Sequence, residues 1–299
     1  MTESPEGAPA VSLVLVCYQM QRELPRTLVS LSPPYQSGIA PASYEIIIVD
    51  NGSTLPVDPA TSAPPWPDII VESVETPTVS PAPAINRGLR VARAPLIGLW
   101  VDAARMASPG LVSACVEAAR LHPRPVIATF NYHLGSRLQY FSAAEEHTQE
   151  AEDALLASIG WPENGERLFE ISTLDAKGGV TGPMIESCAL FMPRALWDEL
   201  GGADEAFVSP GGGAVNPDIF IRACELPDVQ LIRILGQGTF HQVHGGVSTS
   251  GGAGLMEAGK AMSREYFRIR GRPFSAVRTL GWLYDPASKT VQKSASATI

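Results

Sequence analysis

Positive charge is in short supply in this sequence: 22 Lys and Arg stand against 31 Asp and Glu, a net charge of −9 over 299 residues. That balance, with no interleaving of basic and aromatic side chains, excludes a general nucleic-acid binder and a chain drawn to anionic lipid by its overall charge. Cysteine is scarce too. Cys17, Cys115, Cys188 and Cys224 lie far apart and never as C-x-x-C, so they read as buried small hydrophobes in a reducing compartment, with no structural zinc site. No apolar run approaches the length that spans a bilayer. The opening residues, Met-Thr-Glu-Ser-Pro-Glu-Gly, lack the basic segment and apolar core of a secretory signal, so a cytoplasmic chain is expected. There is no Walker loop, no G-x-G-x-x-G after the first strand, no G-x-S-x-G and no H-E-x-x-H. The common NTPase, dinucleotide, hydrolase and zincin readings therefore lack their signatures.

What is present is apolar sequence in short, strand-like bursts. Apolar residues make up 45% of the chain, enough for one large α/β domain or two small ones. The most informative burst is Tyr44-Glu-Ile-Ile-Ile-Val-Asp50, whose β-branched run suits a parallel strand buried on both faces. It ends in Asp50, Asn51, Gly52 and Ser53, turn chemistry that carries a carboxylate. Ligands bind at the carboxyl ends of strands in open α/β sheets, so Asp50 either reads a polar ligand, such as a nucleobase edge, or caps its own turn.

Around it the pattern predicts strands at 11–17, 44–49, 68–74 and 96–101, with helices at 23–31 and 84–92 between them. Asp102 closes the last of these strands, giving a mostly parallel sheet with acidic residues at two carboxyl ends. Further on we expect a helix at 110–121 starting at Ser108-Pro109, and a strand at 126–132. A helix at 142–159 follows, with a solvated acidic face of Glu145, Glu146, Glu150, Glu152 and Asp153. Residues 160–185 read as loop. Strands follow at 186–192 and 229–235, helices at 194–200 and 218–224, and a basic helix at about 255–270. The Pro-rich segment 55–67 and the Gly/Ser segment 241–254 read as loops, and the tail after 285 as disordered. The organisation expected is a leader at 1–10, a first half at 11–125, a second half of the same domain at 126–254, and a C-terminal helix and tail at 255–299.

Four polar pieces stand in suggestive places: Asp50, Asp102, the pair Asn216 and Asp218, and His244. Carboxylates with a histidine at strand ends suit magnesium or manganese. Each piece has an alternative. His241 and His244 can be loop histidines satisfied by backbone, and Asp218 a helix-terminal carboxylate on free N–H groups.

Taken as an ordered set, these segments resemble family 2 glycosyltransferases of the GT-A fold. The resemblance rests on Val11–Tyr18, Glu45-Ile-Ile-Ile-Val-Asp-Asn-Gly-Ser53, Ala84-Ile-Asn-Arg-Gly-Leu-Arg-Val-Ala92 and Gly98-Leu-Trp-Val-Asp102. It continues through Leu200-Gly-Gly-Ala-Asp-Glu-Ala-Phe207, Asn216-Pro-Asp-Ile-Phe-Ile-Arg222 and His244-Gly-Gly-Val-Ser248, covering about residues 11 to 250. It implies an α/β fold with a mostly parallel central sheet and helices on both faces. The implied activity is transfer of a sugar from a nucleoside-diphosphate sugar, UDP- or other, to a glycan or small-molecule acceptor hydroxyl, with inversion. A degenerate domain that binds nucleotide-sugar or glycan without turnover is the alternative. No nucleic acid or transmembrane segment is implied, and a homodimer is allowed.

By the same resemblance Asp50 contacts the nucleobase, Val16 to Tyr18 line its pocket, and Asn86 and Gly88 lie beside the ribose or sugar. Asp102 is the first carboxylate of the Asp-x-Asp motif, and Asp102 with His244 holds a divalent cation, manganese or magnesium. Here the sequence departs from the family: Ala104 stands where the second carboxylate belongs, and Arg105 follows. Arg105, with Arg268 or Arg270, is the phosphate partner if no metal is held. Asn216 takes the place of the usual catalytic aspartate, and an amide cannot accept a proton as a carboxylate does. Asp218 is therefore the first candidate base and Glu186 the second.

Overall fold

The structure, a computed structural model, describes residues 8–55, 57–58, 68–141, 148–244 and 253–293. Most of the Pro-rich segment, the Gly/Ser segment after His244, Glu145 and Glu146 lie outside them, as do both chain ends.

The sheet begins as the apolar bursts demand. β1 (Val11–Cys17) and β2 (Tyr44–Asp50) are buried at every position. β1 pairs in parallel with β2 and with β4 (Leu96–Trp100), and β2 pairs in parallel with β3 (Ile69–Ser73). Two helices cover opposite faces: α1 (Glu23–Ser30) follows β1, and α2 (Ala82–Val91) follows β3. The α2 contact is close because position 88 is glycine. A Cβ there would stand 2.3 Å from Val14 Cγ1 and 3.1 Å from Val49 Cγ2, so a side chain would push the helix off the sheet.

The second half completes one mixed sheet. After β5 (Arg105–Ala107) and α3 (Leu111–Ala118) come β6 (Pro125–Leu134), α4 (Gln149–Ile159) and β7 (Ser172–Leu174). Then follow β8 (Ala189–Pro193), α5 (Arg194–Leu200), α6 (Val215–Glu225), β9 (Gln230–His241), α7 (Ala253–Arg270), β10 (Trp282–Asp285) and β11 (Thr290–Lys293). The strand order is β11-β10-β9-β6-β8-β4-β1-β2-β3, with β5 on β9 and β7 on β6. β8 is antiparallel to both β4 and β6, and β9 is parallel to β6. Two apolar clusters lie on the two faces of the sheet, one under α2, α5 and α6 and the other under α1 and α3. Cys17, Cys115 and Cys188 are buried as expected, and all four thiols are free.

The departures from expectation have local causes. β9 runs six residues beyond Leu235, because Gly236 takes φ +66° and the strand absorbs an irregularity opposite Ala128 and Phe130 before pairing resumes at Gly238. The tail after 285 continues as the β10–β11 hairpin through Lys293. Helix α3 begins after Gly110, because the Ser108 hydroxyl donates to Gln237 and accepts the Gly238 N–H instead of a helix N–H. No described helix is long and apolar enough to cross a membrane.

Candidate active site

The carboxyl ends of β1 and β2 form a stapled rim. Gln19 N–H donates to Ser53 Oγ at 2.8 Å and its amide to Thr54 Oγ1 at 2.6 Å. Asp50 ends β2 in register with Cys17 and Ser73. Its Oδ1 accepts the Ser53 N–H at 2.9 Å. Among the described residues Oδ2 makes no hydrogen bond, so the carboxylate caps its turn with one oxygen and presents the other. Val16 is buried, its carbonyl accepting the Ala103 N–H at 2.9 Å, and Tyr18 stands exposed at the rim.

That Val16–Ala103 bond lays the turn after β4 directly over β1. Asp102 Oδ1 accepts the Ala104 N–H at 2.9 Å, and Oδ2 faces the end of β9. His241, the last residue of β9, and His244 bring their Nε2 atoms to 3.1 and 3.3 Å from Oδ2 and to 3.0 Å from each other. These three side chains are the group in the described residues suited to a metal ion. The tautomer of His241 is fixed by Gln139, whose Nε2 donates to the His241 carbonyl. Its Oε1 lies 2.5 Å from His241 Nδ1. Nδ1 must therefore carry the proton, and the Nε2 lone pair points at the centre of the triad. Burial, with Arg105 nearby, lowers the His241 pKa to about 3, so this ring is neutral. Burial opposes ionisation of Asp102, but the charge and hydrogen bond of His244, with Arg105 nearby, outweigh it and hold the carboxyl well below its usual range. His244 is held up by the same carboxylate against its own burial.

Arg105 sits opposite His241 in the β5–β9 pairing, donating to Asn131 at 2.6 Å with Asp102 3.6 Å away. His133, one strand over in register with His241, accepts the Gln139 N–H at Nδ1 and so donates from Nε2 to Asp175 at 3.2 Å. Tyr140 donates to the other Asp175 oxygen at 2.8 Å. Burial opposes ionisation of Asp175, yet these two donors keep its carboxyl below the ordinary range. Glu186, in the approach to β8, accepts from the Asn216 amide at 2.8 Å. It behaves in the opposite way: burial pushes its carboxyl up, and Arg105 and Asn216 only partly offset this.

The structure gives four residues named from the sequence other work. Asp218 is fully buried, and its oxygens accept from Arg222 at 2.7 Å and from Arg270 at 2.5 and 2.7 Å. It is a structural ion-pair centre with no path to an acceptor hydroxyl. Arg270 is spent there and on Asp204 at 2.8 Å, so it is no phosphate partner. Gly88 is a packing glycine under α2. Asn86 bridges to the 203–205 turn through both the N–H and carbonyl of Ala203 and the Glu205 carboxylate, rather than facing the rim.

The acidic face of α4 is likewise more than a solvated surface. Glu152 is 1% exposed, accepts from Arg22 at 3.1 Å and Arg26 at 2.8 Å, and takes the Val243 N–H beside His244. A cavity of about 680 Å³ opens next to it, lined by Leu134, Arg137, Leu155 and Val243 among others.

With this geometry in place, the sequence profile of glycosyl transferase family 2 matches residues 12–200. The chain belongs to glycosyl transferase family 2. The family 2 domain shares the GT-A architecture, a mixed and mostly parallel sheet flanked by helices. Its likeness to solved structures is one of fold. S. aureus TarS 1–349 in complex with UDP-GlcNAc superposes with a TM-score of 0.54 at 14% identity, covering 86% of this chain and 66% of that one. TarS 1–349 without that ligand gives 0.51 at 13% identity, and a longer TarS chain 0.52 at 14%, each over 86% of this chain. The family 2 chain spans 65% of TarS 1–349 and 39% of the longer form. No curated protein sequence matches it.

Proposed function

We propose that the chain transfers a sugar from a nucleoside-diphosphate sugar to an acceptor hydroxyl with inversion, with Glu186 as general base and Asn216 fixing its orientation. The observation that carries this is the Glu186–Asn216 pair within the electrostatic reach of Arg105. A carboxylate of raised basicity stands beside the strand ends where family 2 proteins keep their donor. In the step proposed, Glu186 takes the acceptor proton as the acceptor oxygen bonds to the anomeric carbon. The bond from that carbon to the diphosphate oxygen breaks, and its electron pair leaves with the diphosphate.

Asp50 would read the base edge through its outward oxygen, with Val16 to Tyr18 forming the floor and rim of that pocket. Arg105 would pair with phosphate through its forked donors. The cavity beside Glu152, built from residues of the second half at 126–254, is the place for a glycan or small-molecule acceptor.

The donor set fits a divalent cation. Bonds of about 2.1 Å put neighbouring ligands about 3.0 Å apart in an octahedron and about 3.4 Å apart in a tetrahedron, and the triad's edges of 3.0, 3.1 and 3.3 Å lie in that range. Asp102, His241 and His244 would hold manganese or magnesium, which when bound offsets the charge gathering on the departing diphosphate.

Ala104, buried and without a carboxylate, favours a second reading in which the domain binds donor without turnover. Release of nucleoside diphosphate from a panel of donors, beginning with UDP-GlcNAc because TarS is seen with it, separates the two. Tight donor binding with no diphosphate release under any acceptor would overturn the transferase.

A further inference from the structure

We propose that the outward face of α7 is a docking surface for an anionic membrane, held to the lipid by three cations and two apolar side chains. None of the residues of the transferase site takes part, so the two readings stand or fall separately.

The inner side of α7 is fixed to the body of the protein. Tyr266 is buried against Phe207 and Phe274, with ring centroids 6.1 and 5.3 Å away. Glu265 accepts the N–H groups of Val208 and Ser209 at 3.0 and 3.1 Å. The helical repeat then decides what faces outward. At about 100° per residue, Met256, Lys260, Arg264, Phe267 and Arg268 fall within an arc of about 120° on the side away from Tyr266. Met256 is 67% exposed and Phe267 56%. Lys260, Arg264 and Arg268 keep 57–75% of their side-chain surface exposed and come no closer than 3.9 Å to a carboxylate of the described residues. Glu257 shares this face, 4.0 Å from Lys260 and 3.9 Å from Arg264. Three cations against one carboxylate leave the face positive on a chain whose net charge is −9.

The shape and the mixture of groups select the partner. The five side chains span about 18 Å of a convex helix surface, which suits a plane rather than a strand held in a groove. Against anionic lipid the cations meet headgroup phosphates, while Met256 and Phe267 enter the boundary with the acyl chains. A soluble polyanion has no use for the apolar pair. A second copy packed about a two-fold axis would set the cations against one another.

The test mixes the full chain with sedimentable vesicles, either of phosphatidylcholine alone or of phosphatidylcholine and phosphatidylglycerol in equal parts. We expect binding at least about tenfold tighter to the anionic vesicles, weakening as salt rises from about 0.05 M to about 0.5 M. Arg264→Glu should weaken it by about fivefold or more. Arg167→Glu makes the same charge change on the 165–171 segment and should weaken it by less than about twofold. Phe267→Ser should weaken it by about tenfold, with circular dichroism and melting unchanged in all three variants. Equal binding to both vesicles, or Arg167→Glu as damaging as Arg264→Glu, overturns the proposal. So does long-chain polyphosphate bound through the same cations while Phe267→Ser leaves vesicle binding intact, which gives the face to a soluble polyanion. A dimer in sedimentation equilibrium that Phe267→Ser disperses gives the face to a second copy, and overturns it as well.

Discussion

Replacing Glu186 with Gln tests the site through two readouts that move in opposite directions. The Gln side chain keeps an oxygen for the Asn216 amide but cannot take a proton. If Glu186 is the base, kcat should fall by about 10²- to 10⁴-fold, equivalent to roughly 2.7–5.5 kcal/mol of lost barrier reduction. Stability should rise instead. Burial raises the Glu186 carboxyl above its ordinary 4.5, so the folded protein binds that proton more tightly than the unfolded chain does. The group's contribution is fully present below the unfolded pKa and is lost as pH rises through the folded value. At neutral pH the wild type carries an ionised carboxylate in an unfavourable setting, and the Gln variant does not. Each tenfold difference in proton affinity is worth about 1.4 kcal/mol, and each kcal/mol moves Tm by roughly 2 °C in a chain of this size. Calorimetric melts at pH 7.5 should therefore place E186Q above wild type, with the gap closing as pH falls towards 4.5. The acid limb of wild-type kcat/KM should lie above that of an ordinary glutamate. A variant within about threefold of wild-type turnover would refute the assignment and turn attention to Asp175. An inactive variant that melts lower at pH 7.5 would show that the lost activity reflects damage to the fold.

Asp50→Asn should weaken UDP binding by about 1–3 kcal/mol in calorimetry through loss of a charge-assisted hydrogen bond, while melting stays near wild type; unchanged affinity would remove Asp50 from the donor pocket. Asp218→Asn should destabilise by about 3–5 kcal/mol in urea melts, because it leaves Arg222 and Arg270 facing each other without the buried carboxylate. A folded, stable and inactive D218N would restore Asp218 as a candidate base. Gly88→Ala should cost about 1–3 kcal/mol through overpacking against Val14 and Val49, lowering Tm with donor affinity per folded molecule unchanged.

The parts of this protein that local sequence could announce were announced. Asp50 and Asp102 each follow a buried apolar run, so strand ends carrying carboxylates were visible residue by residue. From sequence alone His241 reads as loop, because Gly236-Gln-Gly238 resembles the end of a strand. Glycines inside a strand also mark a bulge, and the residues Thr239-Phe240-His241 beyond them resume the pattern. Glu152 reads as solvated because its partners, Arg26 in α1 and Arg22 just before it, stand 126 and 130 positions away. Asp218 outranked Glu186 for the same reason. Nothing near it in sequence reveals Arg270, 52 residues on, and nothing near Glu186 reveals the burial that raises its pKa. The resemblance puts Ala104 where a second carboxylate is expected, while nothing local in sequence brings His241 to Asp102 and His244.

The Asp218–Arg270 pair also bears on how a nascent chain acquires this fold. Synthesis is vectorial, and domains fold as their N-terminal parts emerge. When α6 has left the ribosome, Asp218 has Arg222 from its own helix, but Arg270 and the Asp204 bridge it completes are still unmade. Until then a carboxylate destined for full burial has a guanidinium on one oxygen only, and desolvating it is unfavourable. Docking of α6 against the sheet is thus held back until α7 arrives. The second half of the sheet would close late and in one step, and a chain cut short before residue 270 would keep β1 to β4 while leaving α6 loose.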